Sequence, residues 1–162
     1  MNPSLFSKLH VLVADDSYMA SLTSSMLRTL GTRSITEVYD LRGMTTALQR
    51  EEFGLVLVDD GLAPGDPVDL VRNLRADPHS WNRHVPVLMT FTAAEKARIV
   101  AARDAGVTEF LKKPLSANVI GLRLMQALEH PRPFVEAAAY TGPDRRRRDL
   151  GIRGPDLRAD RS

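Results

Sequence analysis

The chain has 162 residues, 43% of them hydrophobic and 26% charged, with a formal net charge of +2. That is the composition of an ordinary soluble globular protein, long enough for one domain with a real core and a short appendage. It holds no cysteine, which excludes disulfides and thiolate metal sites, and no apolar run approaches the roughly 18 residues of a membrane span.

The start, MNPSLFSKLHVLVADD, lacks a signal-peptide cleavage pattern, so a cytoplasmic protein is expected. LHVLVAD, Leu9 to Asp15, is a short β-type run bounded by two acids, Asp15 and Asp16. SYMASLTSSMLRTLG follows with Met19, Leu22, Met26, Leu27 and Leu30 at helical spacing, Ser17 as the expected N-cap and Gly31 as the stop. SITEVYD predicts a second strand and LRGMTTALQREE a second, weaker helix. GLVLVD, ending on Asp59, is continuous and apolar, as a parallel strand covered on both faces should be. DPVDLVRNLRAD predicts a helix, DPHSWNRH a polar loop and VPVLMTFT a fourth strand. AAEKARIVAARDAG predicts a helix closed by Gly106, VTEFLKKP a fifth strand, and SANVIGLRLMQALEH a last helix capped by Ser116. Strands alternating with helices in this way predict a parallel α/β sheet with helices on both faces. After Pro131 the periodicity stops. Residues 131–162 carry eight arginines against five acids and are rich in Pro and Gly. They predict an extended or partly disordered tail beside a domain over residues 8–130.

In such a sheet, ligands gather outside the carboxyl ends of the strands, where strand order reverses. The strand ends here are Asp15-Asp16, Asp59-Asp60, Thr90-Phe91-Thr92 and Lys112-Lys113-Pro114. Acids, hydroxyls and a lysine therefore converge on one rim. Clustered carboxylates need a counter-charge, which Mg²⁺ supplies through oxygen ligands alone, and a lysine suits a phosphoryl oxygen. Together they are the parts needed to move a phosphoryl group, one carboxylate being the nucleophile.

The segments VLVADDS, LVLVDD, VPVLMTFTAAE and AARDAGVTEFLKKP resemble the receiver domain of two-component response regulators, over about Lys8 to His130. The resemblance implies a flavodoxin-like (βα)5 doubly wound sheet of five parallel strands in the order 2-1-3-4-5. It also implies Mg²⁺-dependent phosphorylation of an aspartate by a histidine kinase or histidine phosphotransfer protein. An unknown downstream protein would then bind the fourth helix, fifth strand and fifth helix, about Ala93 to Glu129; homodimerisation through that face stays open. The stretch PRPFV…YTGPDRRRR also looks like one in a subgroup of proteobacterial receiver proteins.

Register decides which acid is the acceptor. FGLVLVD aligns without gaps on the family's FDLVLLD, ending at Asp59, and Asp66, Pro67, Val68 and Asp69 fall on the pattern before its next helix. Only Pro64, which fits a count from Asp60, argues the other way. Asp59 is therefore expected to be the acceptor. The same register implies that Asp16 ligates Mg²⁺ with Asp15 assisting, and that Gly61 offers its backbone carbonyl. Lys113, directly before Pro114, is expected to reach the phosphate, and the Lys-Pro bond is typically cis in the family. With no side chain at Gly61, attacking water meets little obstruction, so a short-lived phosphorylated state is expected.

Strand four departs from the pattern. The family's switch threonine falls on Phe91, and a phenyl ring cannot hydrogen-bond a phosphoryl oxygen. Either a bulge turns Thr92 or Thr90 inward, or signal coupling is altered; the Thr92-Ala93 dipeptide favours Thr92. Phe110 occupies the family's aromatic switch position.

Taken singly, each feature has a plainer reading: Asp15-Asp16 as helix N-terminal charge, Lys112-Lys113 as a solvated edge, Phe110 as core. Jointly, at these strand ends, they favour the receiver. Its rivals are a degenerate receiver that binds its partner without phosphorylation, and a flavodoxin-like metal-dependent phosphatase. DRRRRD, Asp144 to Asp149, reads as solvated tail, as an anionic-partner contact, or as a segment docking on the acidic rim. No DNA-reading pattern occupies the tail, so sequence-specific DNA binding is not expected.

Overall fold

The computed structural model describes residues 3–129, 134–137 and 140–143, with side chains over 5–128. A short helix, α1 (Pro3–Ser7), leads into β1 (His10–Ala14), and α2 (Ser17–Thr29), β2 (Ser34–Val38), α3 (Leu41–Arg50) and β3 (Leu55–Asp59) follow. The alternation continues through α4 (Pro67–Ala76), β4 (Val87–Phe91), α5 (Lys96–Ala105), β5 (Glu109–Lys112) and α6 (Ala117–Glu129). The five strands form one parallel sheet in the order β2-β1-β3-β4-β5. The expected doubly wound α/β architecture is present.

Both faces of the sheet are covered, which is why β3 and the buried part of β1 are apolar, while the edge strand β2 (SITEV) is mixed and only partly buried. Side chains alternate across a strand, so Leu12, Ala14, Val56, Val58, Val87 and Met89 enter one buried cluster with Leu41, Met44, Val68 and Val71 of α3 and α4. Val11, Val13, Leu55, Leu57, Leu88 and Leu111 enter the other, with Ala20 and Leu27 of α2 and Ile120 and Leu124 of α6. Phe6 of α1 is fully buried in that second cluster. The sequence periodicity gave no sign of α1, because five residues are too few to display a helical repeat.

The helix ends follow the chemistry of their caps. The N-cap of α2 is Asp16, whose carboxylate accepts from Met19 N at 2.9 Å. This corrects the expectation that Ser17 caps. Asp is as good a cap as Ser and adds a charge that suits the helix N-terminus. Asp40 and Asp66 cap α3 and α4 in the same way, and Ser116 accepts from Val119 N as expected. Gly106 closes α5 at φ 114°, a left-handed conformation that suits glycine.

Two buried polar side chains fasten the loops opposite the rim. Asn82, fully buried, donates to Leu48 O and Glu51 O and accepts from Phe53 N. It ties the polar loop after α4 to the end of α3 and the entry of β3. Arg75, 1% exposed, donates from Nε and Nη2 to Gly106 O (3.2 and 2.9 Å) and from Nη1 to Arg83 O at 2.7 Å.

Beyond α6, β6 (Phe134–Ala137) and β7 (Tyr140–Pro143) pair as an antiparallel hairpin, and β7 lies against α4 and α5. These two strands lie within the segment expected to be an extended or partly disordered tail. The DRRRRD stretch lies outside the described residues.

Candidate functional site at the carboxyl rim of the sheet

Strand order reverses between β1 and β3, which are neighbours in the sheet although β2 lies between them in sequence. The two helices that follow these strands leave on opposite faces, so a crevice opens above the strand ends. Asp15 directly follows β1, Asp59 ends β3, and Lys113 directly follows β5. Across this crevice Lys113 Nζ lies 2.8 Å from Asp15 Oδ2 and 2.9 Å from Asp59 Oδ1. Asp15 and Asp59 thus share one ammonium group, carried by a residue 98 positions from Asp15 in sequence. The Lys113-Pro114 peptide bond is cis, as the resemblance implies.

Asp59 has further partners. Gly61 N donates to its Oδ2 at 3.0 Å and Thr90 Oγ1 to its Oδ1 at 3.4 Å. Thr90 stands directly beside Asp59 in the β3–β4 register. The pairing of β4 with β5 runs regularly through Phe91 and Lys112, so no bulge is needed to bring Thr90 to the acid. Thr92 lies beyond the strand and is exposed. Of the two hydroxyls considered for the switch, Thr90 is the one within reach of Asp59 in this conformation. Phe91 follows Met89 by two residues and so takes the opposite face of the strand from Thr90. Phe110, half-buried, packs on the core cluster that contains Met89, with the Arg103 guanidinium 5.9 Å from its ring centre.

Burial sets the electrostatics. Asp15 is 5% exposed; burial pushes its pKa above the ordinary carboxylate range, and the Lys113 hydrogen bond recovers only part of that cost. For Lys113 the balance is the opposite: burial disfavours the ammonium, but hydrogen bonds to Asp15 and Asp59 outweigh it and raise the pKa. Lys113 therefore stays protonated through the neutral range. One ammonium against two carboxylates leaves the crevice net negative, and Asp16, exposed at the α2 N-cap, adds to that charge.

Among the described residues no three His, Cys, Asp or Glu side chains converge as a ready metal cage. Mg²⁺ does not require one. It keeps several waters and is held through one or two carboxylates. Asp15 and Asp59, bridged by a single lysine, supply the net negative charge, with the Gly61 carbonyl two residues on. Asp16, the expected direct ligand, would have to divide its carboxylate between the metal and the α2 cap. The donor set is all oxygen, and it fits.

Asp60, the rival acceptor, points elsewhere. Arg98 Nε donates to its Oδ1 at 2.6 Å, and the same guanidinium donates to Asp66 through Nη1 at 2.9 Å and Nη2 at 2.8 Å. Arg98 holds the Asp66 carboxyl below the ordinary range, and the Arg98 pKa is itself raised by hydrogen bonds to Asp66. The sequence reading missed Arg98, which looked like one more basic residue on a polar helix.

Comparison with known proteins follows the same lines. The family model for the response regulator receiver domain matches residues 11–127. The chain belongs to the response regulator receiver family. It is 30% identical over 130 residues to chemotaxis protein CheY-3 of Vibrio cholerae, covering 80% of this chain and 98% of that protein. To chemotaxis protein CheY of Pseudomonas aeruginosa it is 30% identical over 122 residues, 75% of this chain and 97% of that one. Among solved structures, response regulator CheY4 of Vibrio cholerae superposes with a TM-score of 0.66 at 22% identity, over 74% of this chain and 98% of that one. The receiver domain of sensor histidine kinase PA1611 of Pseudomonas aeruginosa, solved with a magnesium ion coordinated in its active-site cleft, gives a TM-score of 0.64 at 24% identity. That match covers 73% of this chain and 95% of that one. Receiver domains are phosphoacceptors rather than turnover enzymes. No helix among the described residues is long and apolar enough to cross a membrane.

Proposed function

We infer that this receiver accepts a phosphoryl group on Asp59, in a Mg²⁺-dependent reaction, from a cytoplasmic histidine kinase or histidine phosphotransfer protein. The change in charge then alters which protein binds the surface formed by α5, β5 and α6. The observation that supports this reading best is the Lys113 bridge between Asp15 and Asp59 at the point where strand order reverses. An Asp59 carboxylate oxygen attacks phosphorus, forming a P–O bond as the P–N bond of the phosphohistidine donor breaks and the imidazole leaves. Lys113 Nζ, already at the attacking carboxylate, neutralises charge on a phosphoryl oxygen. Asp16, Asp59 and the Gly61 carbonyl, with Asp15 assisting, would hold Mg²⁺, which when bound screens the remaining phosphoryl charge. Thr90, and Thr92 if the loop after β4 closes, would supply the hydroxyl that senses the product, with Phe91 and Phe110 on the far face of the strands as the aromatic part of the switch.

The test is direct. Incubation with acetyl phosphate should add one phosphoryl mass to the intact protein when Mg²⁺ is present and none in excess EDTA. An unchanged mass with Mg²⁺ would overturn the reading.

The lifetime of the product is set beside Asp59. A Cβ built at Gly61 would lie 3.3 Å from Asp59 Oδ2, so a longer side chain there projects over the acceptor and obstructs attacking water. Gly61 is not among the glycines with positive φ, so no left-handed conformation demands glycine there. Gly61→Asn is expected to slow phosphate loss by several-fold, on the order of 1 kcal/mol in the barrier. Equal decay of parent and variant would show that the open face at Gly61 does not set the rate.

A further inference from the structure

The acceptor is followed at once by a second acid, and the structure shows what becomes of that charge. Asp60 N donates to Thr90 O at 2.8 Å, which continues the strand pairing and sends the Asp60 side chain away from the Lys113 bridge. There it meets Arg98, in the first turn of α5. One guanidinium binds Asp60 Oδ1, the Asp60 carbonyl at 3.3 Å and both Asp66 oxygens. Asp60 and Asp66 bracket the loop that carries Gly61, and Asp66 also caps α4 by accepting from Val68 N. The Arg98 side chain is 28% exposed and that of Asp60 21%, so their pairing is only partly screened by solvent.

We propose that Arg98 is a positioning residue for phosphoryl acceptance: it cancels and turns aside the Asp60 carboxylate, leaving Asp59 as the acid that faces an anionic phosphodonor. Without it, the residue next to the acceptor presents an uncompensated negative charge to a crevice where Lys113 already faces two carboxylates. Phosphodonors are anions, so that charge repels them at encounter and in the transition state. The inference rests on the proposed phosphorylation of Asp59 and adds to it the residue that keeps the neighbouring acid from interfering.

Rates of acetyl phosphate labelling, with Mg²⁺ saturating, test it across four proteins. Arg98→Ala is expected to label on the order of tenfold more slowly than the parent at low ionic strength. The gap should close as salt rises from about 0.01 M to about 1 M, where the screening length falls from about 30 Å to about 3 Å. Arg98→Lys, which keeps the charge, should label close to the parent rate. The double variant Asp60→Asn/Arg98→Ala should recover the parent rate, because the charge to be cancelled is gone. If Arg98 served only to hold the loop, the double variant would be as slow as Arg98→Ala at every salt concentration, and that result overturns the inference alone. A parent that takes no phosphoryl group removes the proposed function and this inference with it.

Discussion

Asp59→Asn is expected to abolish labelling by acetyl phosphate and Mg²⁺, whereas Asp60→Asn labels at least as fast as the parent. Among the described residues only Asp59 has a carboxylate in contact with all of Lys113, Thr90 Oγ1 and Gly61 N. The amide of asparagine matches the shape but lacks the nucleophilic oxygen and the charge. The Asp60 carboxylate is already engaged by Arg98, and removing it makes the rim less repulsive to an anion. The loss at position 59 should be complete within the detection of intact-mass measurement. Labelling of Asp59→Asn at the parent rate would show that another residue takes the phosphate.

Arg75→Ala is expected to destabilise the fold by about 3–5 kcal/mol, the largest single effect outside the rim. The change deletes a long, fully buried side chain and leaves the carbonyls of Gly106 and Arg83 without that donor. Hydrogen bonds from a charged donor contribute about 1.5–3 kcal/mol each, and the vacated volume adds a cavity term. The Arg75 stem is packed directly on Gly106. A Cβ there would come within 2.7 Å of the present Arg75 Cγ, and its φ of 114° disfavours any side chain. Urea unfolding should show the midpoint falling by about 2 M. Arg75→Met, which keeps much of the stem, should lose less. A loss below about 1 kcal/mol for Arg75→Ala would mean that water or a shifted chain satisfies those carbonyls.

What the sequence made legible follows from local chemistry. LHVLVAD and GLVLVD could be recognised as strands because Val11 to Ala14 and Leu55 to Val58 are buried on both faces, so those four positions in each run are all apolar. Gly106 and Ser116 marked helix ends through conformation and side-chain hydrogen bonding that depend on near neighbours alone. The acids and the lysine at the rim were legible as a set, through topology and the family resemblance, although singly each was ambiguous. Arg72 and Arg75 show where this kind of reading ends. They lie three residues apart on α4, but Arg72 pairs with Asp69 at the surface while Arg75 is buried against a carbonyl 31 positions away. Arg98 was hidden for the same reason, since Asp60 and Asp66 reach it only through the folded sheet. Phe91 raised the question of a bulge, yet regular pairing alone brings Thr90 to Asp59. Periodicity gives the face of a strand only once its register is known.

The most direct measurement locates the phosphoryl group. The parent is labelled with acetyl phosphate and Mg²⁺, the acyl phosphate is reduced with borohydride, and the digested peptides are sequenced by mass spectrometry. Reduction converts a phosphorylated aspartate to homoserine at the labelled position. Homoserine at position 59 is the predicted result; homoserine at position 60, or at no position in a protein shown to be folded, would contradict it.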